Sequence, residues 1–513
     1  MQYQNLCKYR NWLKSTLCFS VAAALFIGGT QITAHAAPGD LDPTFSGDGK
    51  LTDWSGYATG VVIQPDGKIV VAFGPNFSVA RYNPDGSRDI SFGDEGRATT
   101  SFGSEYAPAL GIAIQSDGKI VVAGYVCPCD DWGNAAFAVA RFNQDGSLDL
   151  SFDGDGKVTT AIGGRTTGYS VTVQPDNKII VAGWSWEAAP PYVKDHFAVA
   201  RYNPDGSLDT TFGGDGTVTT SICGNCNDEA FSVALQPDGK IVAVGGGFDG
   251  TNYPKFEVVR FNANGSLDTT FDSDGRLTTT FGGAQIAYSV AIQGDGKIVA
   301  GGRGWGSSIN EFVIARYNLN GSLDTTFDSD GRVATGANSS AALSSIAIQS
   351  DGKIIASGST STGFDGNDED FMIVRYDQDG SLDNTFGVVG VDFNNSIDAA
   401  YGMALDNVGR AVVVGTAQPN LAIARVLLNS TEVSISGRVT TANGRGIGNA
   451  VVSTIDSLGV RRTARTSAFG YYSFINIPGG TYNFAIRSKR YEFQPRTVFV
   501  DENLSGLDFV ALQ

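Results

Sequence analysis

After residue 36 the chain holds one histidine, His196, so a Ser-His-Asp relay has one place to form, beside Lys194 and Asp195. There is no Gly-x-Ser-x-Gly elbow, no His-rich metal set and no Gly-rich phosphate loop. Asp and Glu are spread throughout, so a carboxylate-based lyase or hydrolase would depend on pairings that only folding brings together. Five tryptophans, Trp54, Trp132, Trp184, Trp186 and Trp305, fall in segments read below as loops of one face. Large aromatics in exposed loops stack on sugars or anchor a protein partner; folded back, they plug the loops' own stems.

Four cysteines follow residue 36 in two local pairs, Cys127-Pro128-Cys129 and Cys223-Gly224-Asn225-Cys226. In an exported protein disulfides are the default. A Cys127–Cys129 bridge would close a strained ring, so pairing between the two loops competes with local pairing. Free thiols and a four-thiolate zinc site are the other readings. The run Phe364-Asp365-Gly366-Asn367-Asp368-Glu369-Asp370 offers Asp365, Asn367, Asp368 and Asp370 as oxygen ligands for Ca²⁺. It lacks the spacing of a known calcium loop, and a solvated acidic loop is the plainer reading. No other cofactor is expected.

The elements that must position these residues are read from a repeat. Gln-x-Asp-Gly-Lys followed by an apolar run recurs at Gln64, Gln115, Gln174, Gln236, Gln293 and Gln349, with Asn replacing Gly at Asn177 and a worn seventh copy at Asp406–Arg410. A second marker follows the six strong copies, an Arg-Tyr/Phe pair and then Gly-Ser-Leu-Asp (Gly-Ser-Arg-Asp in the first), as at Arg201–Asp209 and Arg316–Asp324. Asp-Gly between apolar runs marks a hairpin, expected to be a primed turn. Repeats of this length built only from strands and turns predict a β-propeller. The first two strands are nearly continuous Val, Ile and Ala, as needed when sheets cover both faces.

The outer-strand motif Leu41-Asp42-Pro43-Thr44-Phe45 stands before the first repeat, and none follows Leu421–Arg425. The spacing predicts that residues 39–53 complete the seventh blade and close the ring, removing an exposed edge. The recurring Arg (Arg81 to Arg425) and Asp (Asp89 to Asp383, with Asp42 for the last blade) predict one structural ion pair per blade. The unequal loops 126–136, 184–196, 245–255, 303–310 and 358–370 share one face, where binding usually resides.

The run Tyr288–Gly301 with Phe312–Phe327 resembles the delta-60 repeat of secreted bacterial proteins, a β-propeller repeat of the DUF5122 type with no established activity. The resemblance implies a fold and a compartment but no catalytic residue. The segment 431–513, with Gly470-Tyr471-Tyr472-Ser473-Phe474 and Ile477-Pro478-Gly479-Gly480-Thr481-Tyr482, resembles the carboxypeptidase regulatory-like domain, a prealbumin-type β-sandwich. That implies an accessory or interaction module, not a peptidase.

The expected fold is all-β, with three parts. Residues 1–36 form a signal peptide, 39–429 a seven-bladed β-propeller closed by an N-terminal outer strand, and 430–513 a small prealbumin-like β-sandwich. Lys8, Arg10 and Lys14, the apolar Leu17–Gly29 and Ala34-His35-Ala36 read as a secretory signal cleaved near Ala36. Its removal leaves about −20 net charge, since it holds three basic residues and no acidic one. Nucleic acid and anionic lipid are repelled by such a surface, and no later segment is apolar enough to span a membrane. The expectation is a secreted or periplasmic monomer, a non-catalytic binding or adhesion scaffold for an extracellular glycan or protein. A secreted polysaccharide lyase or hydrolase is the alternative.

Overall fold

Every residue of the second strand of the first repeat, Ile69–Phe73, is buried. Ile69, Val71 and Phe73 pack with Val412, Leu421 and Ile423, whereas Val70 and Ala72 pack with Ala109, Val122 and Ala138. Each sheet is thus covered on both faces by its neighbours, which explains the continuous apolar runs. The same sharing recurs at all seven seams. The computed structural model describes residues 37–103, 106–127, 134–189, 192–222, 227–248, 254–305, 310–336, 340–361, 369–393, 397–429, 432–456, 461–478, 480–500 and 504–512.

The ring comprises seven four-stranded antiparallel sheets. Blades one to seven have as inner strands Ala58–Ile63, Ala109–Ile114, Thr166–Val173, Asn227–Leu235, Ala284–Ile292, Ser340–Ile348 and Asp398–Leu405. Blade seven takes its outer strand from the N-terminal side. Lys50–Ser55 lies antiparallel to Asn420–Leu427, with Lys50 opposite Ala424 and Asp53 opposite Leu421. The closing latch expected from residues 39–53 is present, and the Asp42 carboxylate meets Arg425 Nε at 2.8 Å.

The two repeat markers meet in space. In blade two the Asp149 carboxylate lies 2.6 Å from Arg141 Nε and 3.0 Å from Lys119 Nζ. The lysine of the hairpin marker and the arginine of the second marker therefore share one aspartate, and blades one and three to six repeat the arrangement. In the worn seventh copy Arg410 replaces the lysine and reaches Asp42 at 3.3 Å. Each arginine also lies over a phenylalanine of its own blade's second motif, Phe152 under Arg141 and Phe45 under Arg425. Most reach on into the next blade: Arg141 Nη1 donates to the Pro204 carbonyl at 2.5 Å, and Arg425 donates to that of Pro84, across the closing seam.

The hairpin turn differs from the primed type expected. Gly67 N–H donates to the Gln64 carbonyl, Gln64 N–H to that of Lys68, and only Gly67 has positive φ (83°). That is a three-residue loop in which a type I turn is followed by one left-handed residue. The Asp66 carboxylate accepts from Lys68 N–H, which is why Asp precedes the glycine. Asn177 fills the left-handed position at φ 64°.

The C-terminal unit is a two-sheet sandwich. One sheet orders Tyr471–Pro478, Glu432–Thr440 and Phe509–Val510; the other orders Arg461–Arg465, Val451–Asp456, Gly480–Arg487 and Arg496–Val500. Tyr472 and Phe474 alternate inward, Tyr472 meeting Phe509 at a ring separation of 6.3 Å and Phe474 meeting Phe484 at 6.1 Å. Tyr471 and Ile475 on either side of them are 59% and 70% exposed, the period-two pattern of a half-covered strand.

Candidate functional site

Each inner strand carries one extra residue relative to the strand beside it. These bulged residues are Thr59, Leu110, Tyr169, Phe231, Tyr288, Ser344 and Tyr401. A bulge re-aims a side chain and tightens the local twist, and here all seven residues line one cavity of about 770 Å³ on the ring axis. The residue after each bulge is Gly or Ser, because the inner strands converge. An added Cβ at Gly111 would meet Val171 N at 3.0 Å, and Ser289 Oγ accepts from Ile346 N–H at 3.0 Å.

In blades two to seven the second strand has a glycine beside the bulge. A Cβ at Gly183 would lie 1.9 Å from the Thr167 carbonyl oxygen, and Gly124, Gly245, Gly302, Gly358 and Gly415 meet the equivalent oxygen at 1.8–2.0 Å.

What the repeat holds constant is the geometry; what it varies is the side chain. Tyr169, Phe231 and Tyr288 form an aromatic ledge over three blades, with ring centroids 5.1 and 5.2 Å apart. The opposite wall has the smaller Thr59, Leu110 and Ser344, and Tyr401 is 43% exposed. At the end bearing the unequal loops, the Tyr57 and Tyr106 hydroxyls lie 3.4 Å apart and the Tyr106 ring packs edge-on to Tyr125. Burial raises the Tyr57, Tyr169, Tyr288 and Tyr401 phenols, which stay neutral donors at ordinary pH.

Charge gathers at the same end. Burial pushes the Glu229 carboxyl up to about 7; the Asp195 charge adds to this and Arg165 opposes it. Asp195 is also raised, first by burial. The Arg165 guanidinium lies 4.9 Å over Trp184, and Arg303 lies 4.7 Å over Trp305. Arg303 lines both the axial cavity and a second hollow of about 380 Å³ crossing blades five to seven, whose walls include Asn310, Ser340, Ser359, Glu369 and Tyr401. Together they form a mouth with an aromatic floor and a hydroxyl-rich side arm.

The predicted site residues distribute unevenly. Trp184 and Trp186 stand in the strand Ile179–Ala189, and Trp305 ends Ile298–Trp305, rather than lying in loops. Blade three's hairpin extends because Trp, Tyr and Val favour strands and nothing from 184 to 189 breaks one. Trp184 is buried and Trp186 pairs opposite Asp195. Trp54 belongs to the latch strand, held 3.9 Å under Arg88 and 4.6 Å under Arg97, and packs against the closing seam. Trp132, Cys129, Cys223, Cys226, Asp365, Asn367 and Asp368 lie outside the described residues. Cys127 is buried beside Tyr106. Asp370 has carboxylate oxygens within 4.8 Å of Asp392 and Asp398, and Asp398 accepts from Phe393 N–H at 2.6 Å, tying down the loop before its own strand. Asp228 does the same for Ile222 N–H at 2.8 Å.

The bulged residues were absent from the candidates drawn from the sequence. A signal existed: each stands five residues before its Gln-type marker and directly before Gly or Ser.

Among solved structures, the chain is similar to virginiamycin B lyase from Staphylococcus aureus, at 11% identity over 74% of this chain and 98% of that one, TM-score 0.44. It is also similar to polysaccharide lyase Uly1 (9%, 72% and 90%, TM-score 0.41) and to YCF48 from Cyanidioschyzon merolae (12%, 73% and 98%, TM-score 0.42). No curated protein matches the sequence significantly. The family described as a domain of unknown function (DUF5122) beta-propeller matches at residues 64–92, 115–152, 174–212, 236–271, 293–327 and 349–386. The carboxypeptidase regulatory-like domain matches 434–511. The closed ring of seven blades is thus built on DUF5122 β-propeller repeats, and the chain carries a C-terminal carboxypeptidase regulatory-like domain.

Proposed function

We propose that the protein is an exported binding scaffold that holds an extracellular glycan at the axial mouth. One observation carries this reading: seven equivalent bulges aim seven side chains of five types into one cavity, three of them forming a continuous aromatic ledge. Aromatic faces take the apolar faces of sugar rings, and neutral phenols and hydroxyls take their polar rims. Export follows in this reading from removal of residues 1–36, which mass determination of the mature protein checks. The test of binding is a glycan array on the mature chain beside Tyr288→Ala and Phe231→Ala. Binding lost at least tenfold in both variants, with unchanged melting, supports the reading; unchanged binding in both removes the mouth as the site.

A polysaccharide lyase or hydrolase is the second reading, and Glu229 favours it. A carboxyl poised near about 7, beside Asp195 and the ledge tyrosines, is suited to proton transfer. Incubation of the protein with polysaccharides, followed by product analysis, separates the two. Turnover abolished by Glu229→Gln selects the enzyme; binding without turnover selects the scaffold.

A further inference from the structure

Arg303 is anomalous in this protein. Acids outnumber basic residues 53 to 36 in the whole chain, and the recurring arginines each have an aspartate. Arg303 makes no ion pair and no hydrogen bond with any described residue, and its Nε is buried without an acceptor. The guanidinium is held instead by stacking on Trp305 at 4.7 Å. Burying a donor of this kind unsatisfied is costly, and the cost is not offset by packing alone: an apolar residue would fill the place without it. A stacked guanidinium with free forked donors is pre-organised for a carboxylate.

Its position says what accompanies that carboxylate. Arg303 stands where the axial cavity and the side hollow join, next to Tyr288, whose phenol its charge lowers against the effect of burial. On one side is the aromatic ledge; on the other are Asn310, Ser340 and Ser359, whose amide and hydroxyls suit the hydroxyls of a sugar. We infer that the ligand of this mouth is an acidic saccharide whose uronate carboxylate is taken by Arg303 while a neighbouring ring rests on the Tyr288 side of the ledge. This rests on the glycan-binding reading above and narrows it. The overall negative charge sets a limit: beyond about 8 Å it is screened at physiological salt, so an isolated uronate is accepted while a densely charged chain gains nothing from its remote charges.

The test is calorimetric titration of the full mature chain with uronate-containing oligosaccharides, their carboxyl-reduced neutral counterparts and sulfated oligosaccharides. The proteins compared are wild type, Arg303→Ala, Arg303→Lys and Tyr288→Ala. The expected result is at least tenfold tighter binding of some uronate oligomer than of its reduced counterpart, a preference lost in Arg303→Ala and only partly kept in Arg303→Lys. Arg303 bonds to no described group, so thermal melting of its variants should match wild type; if Arg303→Ala unfolds, Arg303→Lys decides. Uronate and reduced oligomers binding equally, sulfated oligomers binding tightest, or Arg303 variants keeping the preference would overturn the inference while glycan binding stands. If no saccharide binds and Tyr288→Ala changes nothing, both fall.

Discussion

At the scale of single residues, the shared aspartate decides most of what the repeat conserves. In Asp149, burial raises the carboxyl, but hydrogen bonds from Ser151 and Lys119 and the charge of Arg141 outweigh it and hold the group below the ordinary range. Asp149→Ala leaves the buried Arg141 uncompensated and is expected to cost about 3–5 kcal/mol, measured by urea unfolding. Because these carboxyls are depressed in the folded state, their contribution is present above the unfolded value near 3.8 and disappears as pH falls through the folded values, so acid unfolding should be steep. Glu229 has the opposite sign. Its folded value, about 7 against 4.5, makes its contribution full below 4.5 and lost as pH rises through 7. Glu229→Gln should flatten the stability profile between pH 5 and 8, read from melting temperature against pH. The Arg–Asp pairs were legible in the linear order because they recur at a fixed spacing. The lysine was not, because its marker is also a turn motif and its second role appears only when the hairpin folds over the aspartate. Trp54 was misplaced for a related reason: its environment is set by Arg88 and Arg97, distant in sequence and aligned only by ring closure.

At the scale of the strand, bulge and glycine form one device. The bulged residue turns to the axis, the next is small, and in blades two to seven the adjacent strand presents no Cβ to the carbonyl two residues earlier. Gly183→Ala drives a methyl to within 1.9 Å of the Thr167 oxygen and is expected to cost about 1–3 kcal/mol or more through backbone displacement. It should also weaken ligand binding at Tyr169, which differential scanning calorimetry and titration of the same variant would report together. Strand order and the repeated turn were readable from apolar runs and Asp-Gly. The bulge leaves no composition signal, and only its fixed place five residues before the marker, next to Gly or Ser, betrays it. Blade one is the exception: Phe73 stands where the other blades have glycine, opposite Ala58 in the strand bulged at Thr59.

At the scale of the whole molecule, seven blades close because the outer strand of the last is drawn from the opposite end of the chain. Removing residues 37–55 bares the edge of Asn420–Leu427 and strips Arg425 of Asp42, Thr44 and the ring of Phe45. Such a variant should self-associate through the bare edge, seen by size-exclusion chromatography with light scattering, while the intact chain elutes as a monomer. The closure was legible from one displaced Leu-Asp-x-Thr-Phe motif; the chemistry of the mouth was not, because it is assembled from one residue in each of seven repeats. The latch also has a consequence in time. Lys50–Ser55 is made before any blade, yet its partner, Asn420–Leu427, is made after six of them. For nearly the whole of synthesis that strand has no mate, and the ring sets only when its last blade returns to its first-made segment. Non-local contacts of this kind form slowly, so the final sealing step, not the folding of any one blade, should govern how fast the protein becomes resistant to proteolysis.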